Sequence, residues 1–227
     1  MEVLENGHYY HIYNRGVNSE TLFQEKNNYS EFLQLYQKYI SPIADTFAYC
    51  LMNNHFHFLI RVKEKIVYKY SKVDFLNNNK PGSIDVSRFD QVKWETTRLS
   101  TISTTDKIKR KIPNPSKHFS HFFNAYASYY KRIFYRTGPL FERPFKRNHI
   151  ENQLHLKYLV YYIHHNPVKH GFIEDMAQYK WNSYKTILSG EKSFLNTKEV
   201  IDWFGDMESF RQFHIMEQDL DKIKKHL

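Results

Sequence analysis

Cysteine is nearly absent from this chain. Its one copy, Cys50, cannot close an intramolecular disulfide, and no cluster of thiols exists to build a structural zinc site. Long apolar runs are missing too. No stretch approaches the ~20 residues needed to cross a bilayer. The opening residues, MEVLENGHYYHIYNRG, lack the basic start and apolar segment of a secretory signal. These absences set the expectation of a cytoplasmic protein with no membrane association. No internal repeat divides the chain.

What the chain does have is positive charge and aromatic rings. Lys and Arg number 33 against 24 Asp and Glu, a formal net charge of +9, and 18 Tyr and 18 Phe stand among its 227 residues. Cations that displace counterions from phosphates point to a polyanionic partner. Rings interleaved with cations suit single strands, whose unstacked bases can stack on them. The same composition also belongs to basic soluble proteins that bind no nucleic acid. The length suits one medium domain, with room for an insertion.

Residues 8–15 alternate aromatic and polar types and end at Gly16, the pattern of a strand and turn. Tyr29, Phe32, Leu33, Tyr36 and Ile40 recur at helical spacing, and Ser41-Pro42 ends that helix. Strands are expected over 46–52 and 55–62, joined at Asn53-Asn54 as a hairpin. From 63 to about 117 the chain turns polar and reads as an insertion or mobile arm. Its basic run at 107–117 is either a DNA contact or a solvated charge run. Helices are expected over 118–135 and 152–166, the second stopped by Pro167, with a short extended segment at 138–147 between them. A C-terminal helix is expected near 206–225. This order of elements predicts an α+β sandwich of antiparallel strands with helices packed on it.

In the strand HFHFLIRV, alternation points Phe56, Phe58 and Ile60 one way and His55, His57, Leu59 and Arg61 the other. Two imidazoles then emerge on one face, a separation that suits two ligands on one metal ion. Alone, the pair is weak evidence and reads more readily as two polar residues at a sheet surface. It needs a third ligand and a reacting group, and the helix 152–166 offers both. Leu156, Leu159, Val160 and Ile163 form an apolar stripe, and at about 100° per residue Tyr162 and Asn166 fall on one flank of it. Tyr161 falls on the opposite side, facing solvent. A phenol can attack a phosphodiester and form a phosphotyrosine link. A metal would polarise the scissile phosphate, and the Asn166 side-chain oxygen could be the third ligand. The plainer readings are a packing tyrosine and an ordinary helix-ending Asn-Pro.

MNNHFHFLI at 52–60 and YIHHNPVKHGF at 162–172 resemble the paired signatures of the IS200-like transposases, within the wider HUH nucleases. The Tyr-x-x-x-Asn-Pro-Val sequence is most similar to the REP-associated tyrosine transposase branch. HIYNRG near the start, RTGPLFERPFKR at 136–147 and WNSY at 181–184 fit the same pattern. The resemblance covers about 8–62 and 118–190. It implies a ferredoxin-like (RRM-like) sheet with the His motif on a central strand. It implies Mg²⁺ or Mn²⁺, a tyrosine nucleophile, a covalent 5′-phosphotyrosine with a free 3′-OH, and single-stranded DNA cut beside an imperfect hairpin. By position, His55, His57 and Asn166 match the metal ligands and Tyr162 the nucleophile. The domains expected are a catalytic domain over 1–190, with its insertion at 63–117, and a helical extension over 191–227. A monomer and a homodimer are both compatible.

Arg15, Lys131, Arg132, Arg136, Arg143, Lys146 and Arg147 are candidates to line the DNA path, with solvated surface cations as the alternative for each. Phe141 and Phe145 are core or stacking residues. Two rival functions remain at this point. One is a hydrolase whose metal activates water, though the tyrosine helix offers no carboxylate toward the site. The other is a non-catalytic protein that binds nucleic-acid hairpins on the same fold.

Overall fold

The computed structural model describes residues 3–69, 94–101 and 111–216. At its centre, β1 (Tyr9–Arg15), β2 (Ala44–Leu51), β3 (His55–Val62) and β6 (Lys146–Ile150) form an antiparallel sheet in the order β2-β3-β1-β6. Helix α1 (Lys26–Ile40) joins β1 to β2, and α2 (Pro115–Phe134) precedes β6. This is the expected α+β sandwich with ferredoxin-like strand order, and the His-x-His strand β3 is interior.

Alternation sends Phe56, Phe58 and Ile60 of β3 and Tyr10 and Ile12 of β1 to one face, all buried. Two helices cover that face because each carries an apolar stripe at helical spacing. From α1 come Phe32, Tyr36, Tyr39 and Ile40, and from α2 come Phe119, Phe122, Tyr126 and Tyr130. Tyr36 stacks on Phe58 with ring centroids 4.1 Å apart, and Phe32 meets Phe122 at 4.7 Å and Phe56 at 5.1 Å. Burial of each such side chain stabilises by about 1.5–3 kcal/mol. Asn114 caps α2 by accepting the Lys117 N–H at 3.0 Å, with Pro115 as first helical residue.

The other face is covered by α3 (Gln153–Lys169), capped by Asn152, which accepts the His155 N–H at 2.9 Å. Leu156, Leu159, Val160 and Ile163 are buried as the stripe predicts. Two expectations are corrected here. The helix does not stop at Pro167 but runs through it to Lys169. The proline gives up its own N–H bond and crowds the Ile163 carbonyl, a disturbance confined to the last turn because only Val168 and Lys169 follow it in the helix. Nor does Tyr161 face solvent, for it is only 2% exposed. The C-terminal elements α4 (Tyr184–Ser189), α5 (Thr197–Phe204) and α6 (Met207–Ile215) add a further layer. Phe213 and His214 of α6 lie 6.2 and 5.7 Å from the Tyr161 ring. Trp203, Phe204 and Phe210 thereby join the core cluster of the sheet.

The span 63–117 is not wholly a polar arm. It contributes β4 (Ile66–Tyr68) paired with β5 (Thr96–Arg98), and α2 begins within it. Tyr68 holds this piece to α2 through a 2.6 Å hydrogen bond with His118. Residues 70–93 and 102–110, with part of the basic run, lie outside the described residues, as do 217–227 of the expected last helix. The expected extended segment 138–147 becomes strand only at Lys146, with an isolated bridge from Phe141 to Gly16 before it. Among the described residues, no helix is long and apolar enough to cross a membrane.

Candidate active site

β3 carries His55 and His57 on the face that α3 covers, with ring centroids 5.3 Å apart. Each ring is anchored through Nδ1. His55 Nδ1 donates to Asn54 Oδ1 at 2.7 Å, and His57 Nδ1 lies 2.9 Å from His11 Nε2. A ring held at Nδ1 leaves Nε2 as the atom available for a ligand, and such outer partners set the tautomer. Burial, with help from nearby His170, holds His55 down to about 4, while the adjacent Asn166 amide pulls the other way. Burial first, then the neighbouring His11 and His55, holds His57 well below the usual imidazole range. His11 is pushed down to about 3 by burial, then by His155. All three rings are therefore neutral near pH 7, the form in which imidazole binds a cation.

α3 brings its flank to the same place. Tyr162 is half-buried, and its ring stands edge-on to His57 at 5.6 Å and to His11 at 6.2 Å. The Lys169 ammonium lies 5.0 Å from the centre of the Tyr162 ring. Asn166, one turn beyond Tyr162, is fully buried, and its Nδ2 donates to the Tyr162 carbonyl at 3.0 Å. Its Oδ1 is buried with no hydrogen-bond partner. An orphaned buried carbonyl is costly and calls for a partner. One chain thus brings Tyr162 to its own histidine pair.

His55, His57 and Tyr162 border a cleft of ≈ 620 Å³ whose walls include Tyr13, Arg15, Lys146, Glu142, His170 and Phe172, while Asn166 is buried behind them. Among the described residues, no three His, Cys, Asp or Glu side chains group to hold a metal ion. The donor set present is two neutral imidazoles and one amide oxygen. It fits a divalent cation that keeps open positions, since no anionic ligand satisfies its charge.

Strand alternation divides the candidate cations. Lys146 pairs across from Tyr13 and lines the cleft with Arg15, whereas Arg147 pairs across from Ile12 and faces the α2 side. Arg15 is tied to Glu142 at 2.6 Å. Arg147 is buried, bonded to Ser116 at 3.0 Å and stacked 4.1 Å over Phe145. Lys131 and Arg143 border a separate groove beside α2. Arg132 sits between α1 and α2, and Arg136 pairs with Glu20. Phe141 is core, and Phe145 packs on Phe119 and Phe123. The structure therefore gathers His55, His57, Tyr162, Asn166, Arg15 and Lys146, and leaves the other five cations elsewhere.

Sequence reasoning missed His11, Glu142, Lys169, His170 and Phe172. His11 alternates with Tyr13 and Arg15 on β1, which hints at its face but not at its partner. Lys169 and His170 become visible only once the helix passes Pro167.

No family model matches this chain, and no curated protein does. Among solved structures, it is similar to a REP-associated tyrosine transposase bound to a REP hairpin, at 11% identity and a TM-score of 0.52, over 86% of this chain and 87% of that one. By architecture, then, this chain has the fold of a REP-associated tyrosine transposase.

Proposed function

We propose that this protein nicks and rejoins single-stranded DNA beside a hairpin, with Tyr162 as nucleophile. One observation carries the reading: a single chain sets a half-buried phenol against a pair of neutral, Nδ1-anchored imidazoles and an unpartnered amide oxygen. His55, His57 and Asn166 would hold a divalent ion, Mg²⁺ or Mn²⁺. Bound there, the ion would polarise the scissile phosphate and offset the charge that builds in the transition state.

The chain's own groups do the rest. Arg15 and Lys146, on the cleft wall, draw in the phosphodiester. Tyr162 Oη attacks phosphorus and loses its proton to solvent. The bond to the 3′-oxygen breaks, and that oxygen takes up a proton as a free 3′-OH. The product is a 5′-phosphotyrosine, so one phosphodiester replaces another and the reverse attack by a 3′-OH rejoins DNA. Lys169, above the Tyr162 ring, places positive charge beside the reacting phenol. A hairpin-bearing strand is the substrate class, by analogy with the fold relative bound to a REP hairpin.

The test is a covalent protein–DNA adduct with a hairpin-bearing oligonucleotide and Mn²⁺. The adduct is expected from the wild type and from Tyr161→Phe, and absent from Tyr162→Phe. An adduct from Tyr162→Phe would refute the assignment. Glu142 in the cleft favours a second reading, a nuclease that activates water, but its carboxylate is engaged by Arg15. Turnover without any adduct would select that reading.

A further inference from the structure

We infer that the groove beside α2 is a second nucleic-acid track, which holds the backbone of the DNA single strand after it leaves the cleft. This rests on the proposed function, since the strand is the one presented to Tyr162. The groove has a volume of ≈ 950 Å³, and it shares Asn14 and Glu142 with the catalytic cleft as lining residues. The two spaces therefore lie on either side of a shared wall, where the segment before β6 crosses the end of β1. Asn14 Nδ2 donates to the Glu142 carbonyl at 3.0 Å, which fixes that crossing.

The charge of the groove fits one class of occupant. Lys131 and Arg143 line it with the buried Arg147, and among the described lining residues the one carboxylate is Glu142, which Arg15 already engages at 2.6 Å. Among the described residues, neither Lys131 nor Arg143 forms an ion pair. His121 adds no charge near pH 7, because burial lowers its pKa. An unbalanced cationic groove of this size is complementary to a polyanion.

The α2 wall points to a backbone rather than to bases. Ser116, Ser120, Asn124 and Ser128 stand one per turn along the groove, a rise of ~6 Å between neighbours. Ser116 accepts from Arg147 and the Ser120 hydroxyl donates to the Ser116 carbonyl, each at 3.0 Å, so Asn124 and Ser128 are the groups of this row that suit a polymer with oxygen acceptors. Such contacts fix register and direction and read no sequence. Phe145 is spent on packing under Arg147 and presents no free stacking platform. The track would hold the substrate while the cleft selects the scissile phosphate.

The experiment uses the full chain and a fluorescent single-stranded DNA 30-mer of mixed sequence, read by anisotropy across a salt series. The test variant is Ser120→Glu with Asn124→Glu, both at exposed helical positions. The control is Lys185→Gln with Lys192→Gln, which makes the same change of net charge at exposed positions outside the groove. Thermal melting checks that each variant is folded. The groove variant is expected to bind at least tenfold more weakly than the control. Its plot of log affinity against log salt should be shallower by about 1. Equal binding by the two variants would overturn the track while leaving the catalytic reading intact. Failure of the wild type to bind any single strand would overturn both.

Discussion

Replacing His11 with Phe tests whether the candidate metal site is built outward from its buried partner. His11 makes one defined contact to the site, the 2.9 Å bond to His57 Nδ1. His57 is 6% exposed, so water does not readily take that place. Loss of a partner in a buried pair costs about 1–3 kcal/mol. Part of this is recovered, because His11 Nδ1 is itself buried without a partner and leaves with the ring. The net loss should sit near the lower end, about 1 kcal/mol, or a fall of about 2–4 °C in Tm for a chain of this size. The larger effect falls on the ion. A freed His57 samples the wrong tautomer and orientation, and loss of such an outer partner weakens metal binding by about 10–100-fold. Calorimetric titration with Mn²⁺ measures that shift directly. Adduct formation should shift to higher Mn²⁺ by the same factor and recover at saturation, because Tyr162 and the ligands are untouched. Mn²⁺ affinity within twofold of wild type would refute the reasoning. So would an adduct that stays absent at every Mn²⁺ concentration in a folded variant.

Asn166→Leu removes the orphaned Oδ1, so the metal-free protein should lose little stability while its stabilisation by Mn²⁺ disappears. At a hundredfold excess over Kd that stabilisation is about 2.7 kcal/mol in the wild type, and differential scanning fluorimetry reads it. Tyr161→Ala should destabilise by about 3 kcal/mol or more, as for other large buried rings, and half-buried Tyr162→Ala by clearly less; urea denaturation distinguishes them, and equal losses would contradict the buried position of Tyr161. Acid should weaken the fold partly through His214, which burial and then His165 hold down to about 4, against the pull of the Phe210 carbonyl. The folded chain keeps this ring neutral while the unfolded chain protonates it below about 6.5, so stability falls as pH drops from there toward 4, by up to about 3 kcal/mol. Denaturation at pH 7 and pH 4.5 should show a smaller pH dependence in His214→Phe; an unchanged dependence would remove His214 from the cause.

Much of the fold was legible in local pattern. The period of two in HFHFLIRV separated its phenylalanines from its histidines, and each set lies on the face assigned to it. Helical spacing put Tyr162 and Asn166 on one flank, where the structure has them. The resemblance added the strand order and the central place of β3. The polar span after Val62 was harder to read, because three-residue strands such as Ile66–Tyr68 are too short to carry a period.

What local pattern could not place shares one physical origin. Tyr161 was assigned to solvent because a single helix shows its apolar stripe but not what comes to cover its other side, and α6 covers it. The seven candidate cations looked alike as charges in the sequence, yet β6 register sends Lys146 to the cleft and Arg147 to the opposite face. His11 belongs to the site through a bond to a residue 46 positions away. The amino-acid sequence by itself determined the side chains that can do the chemistry and the face of the element each one occupies, because periodicity is a property of neighbouring residues. The tertiary structure alone decided which faces meet, which charges stay free, and that one chain brings Tyr162 to its own histidines, because those depend on contacts between segments distant in the chain.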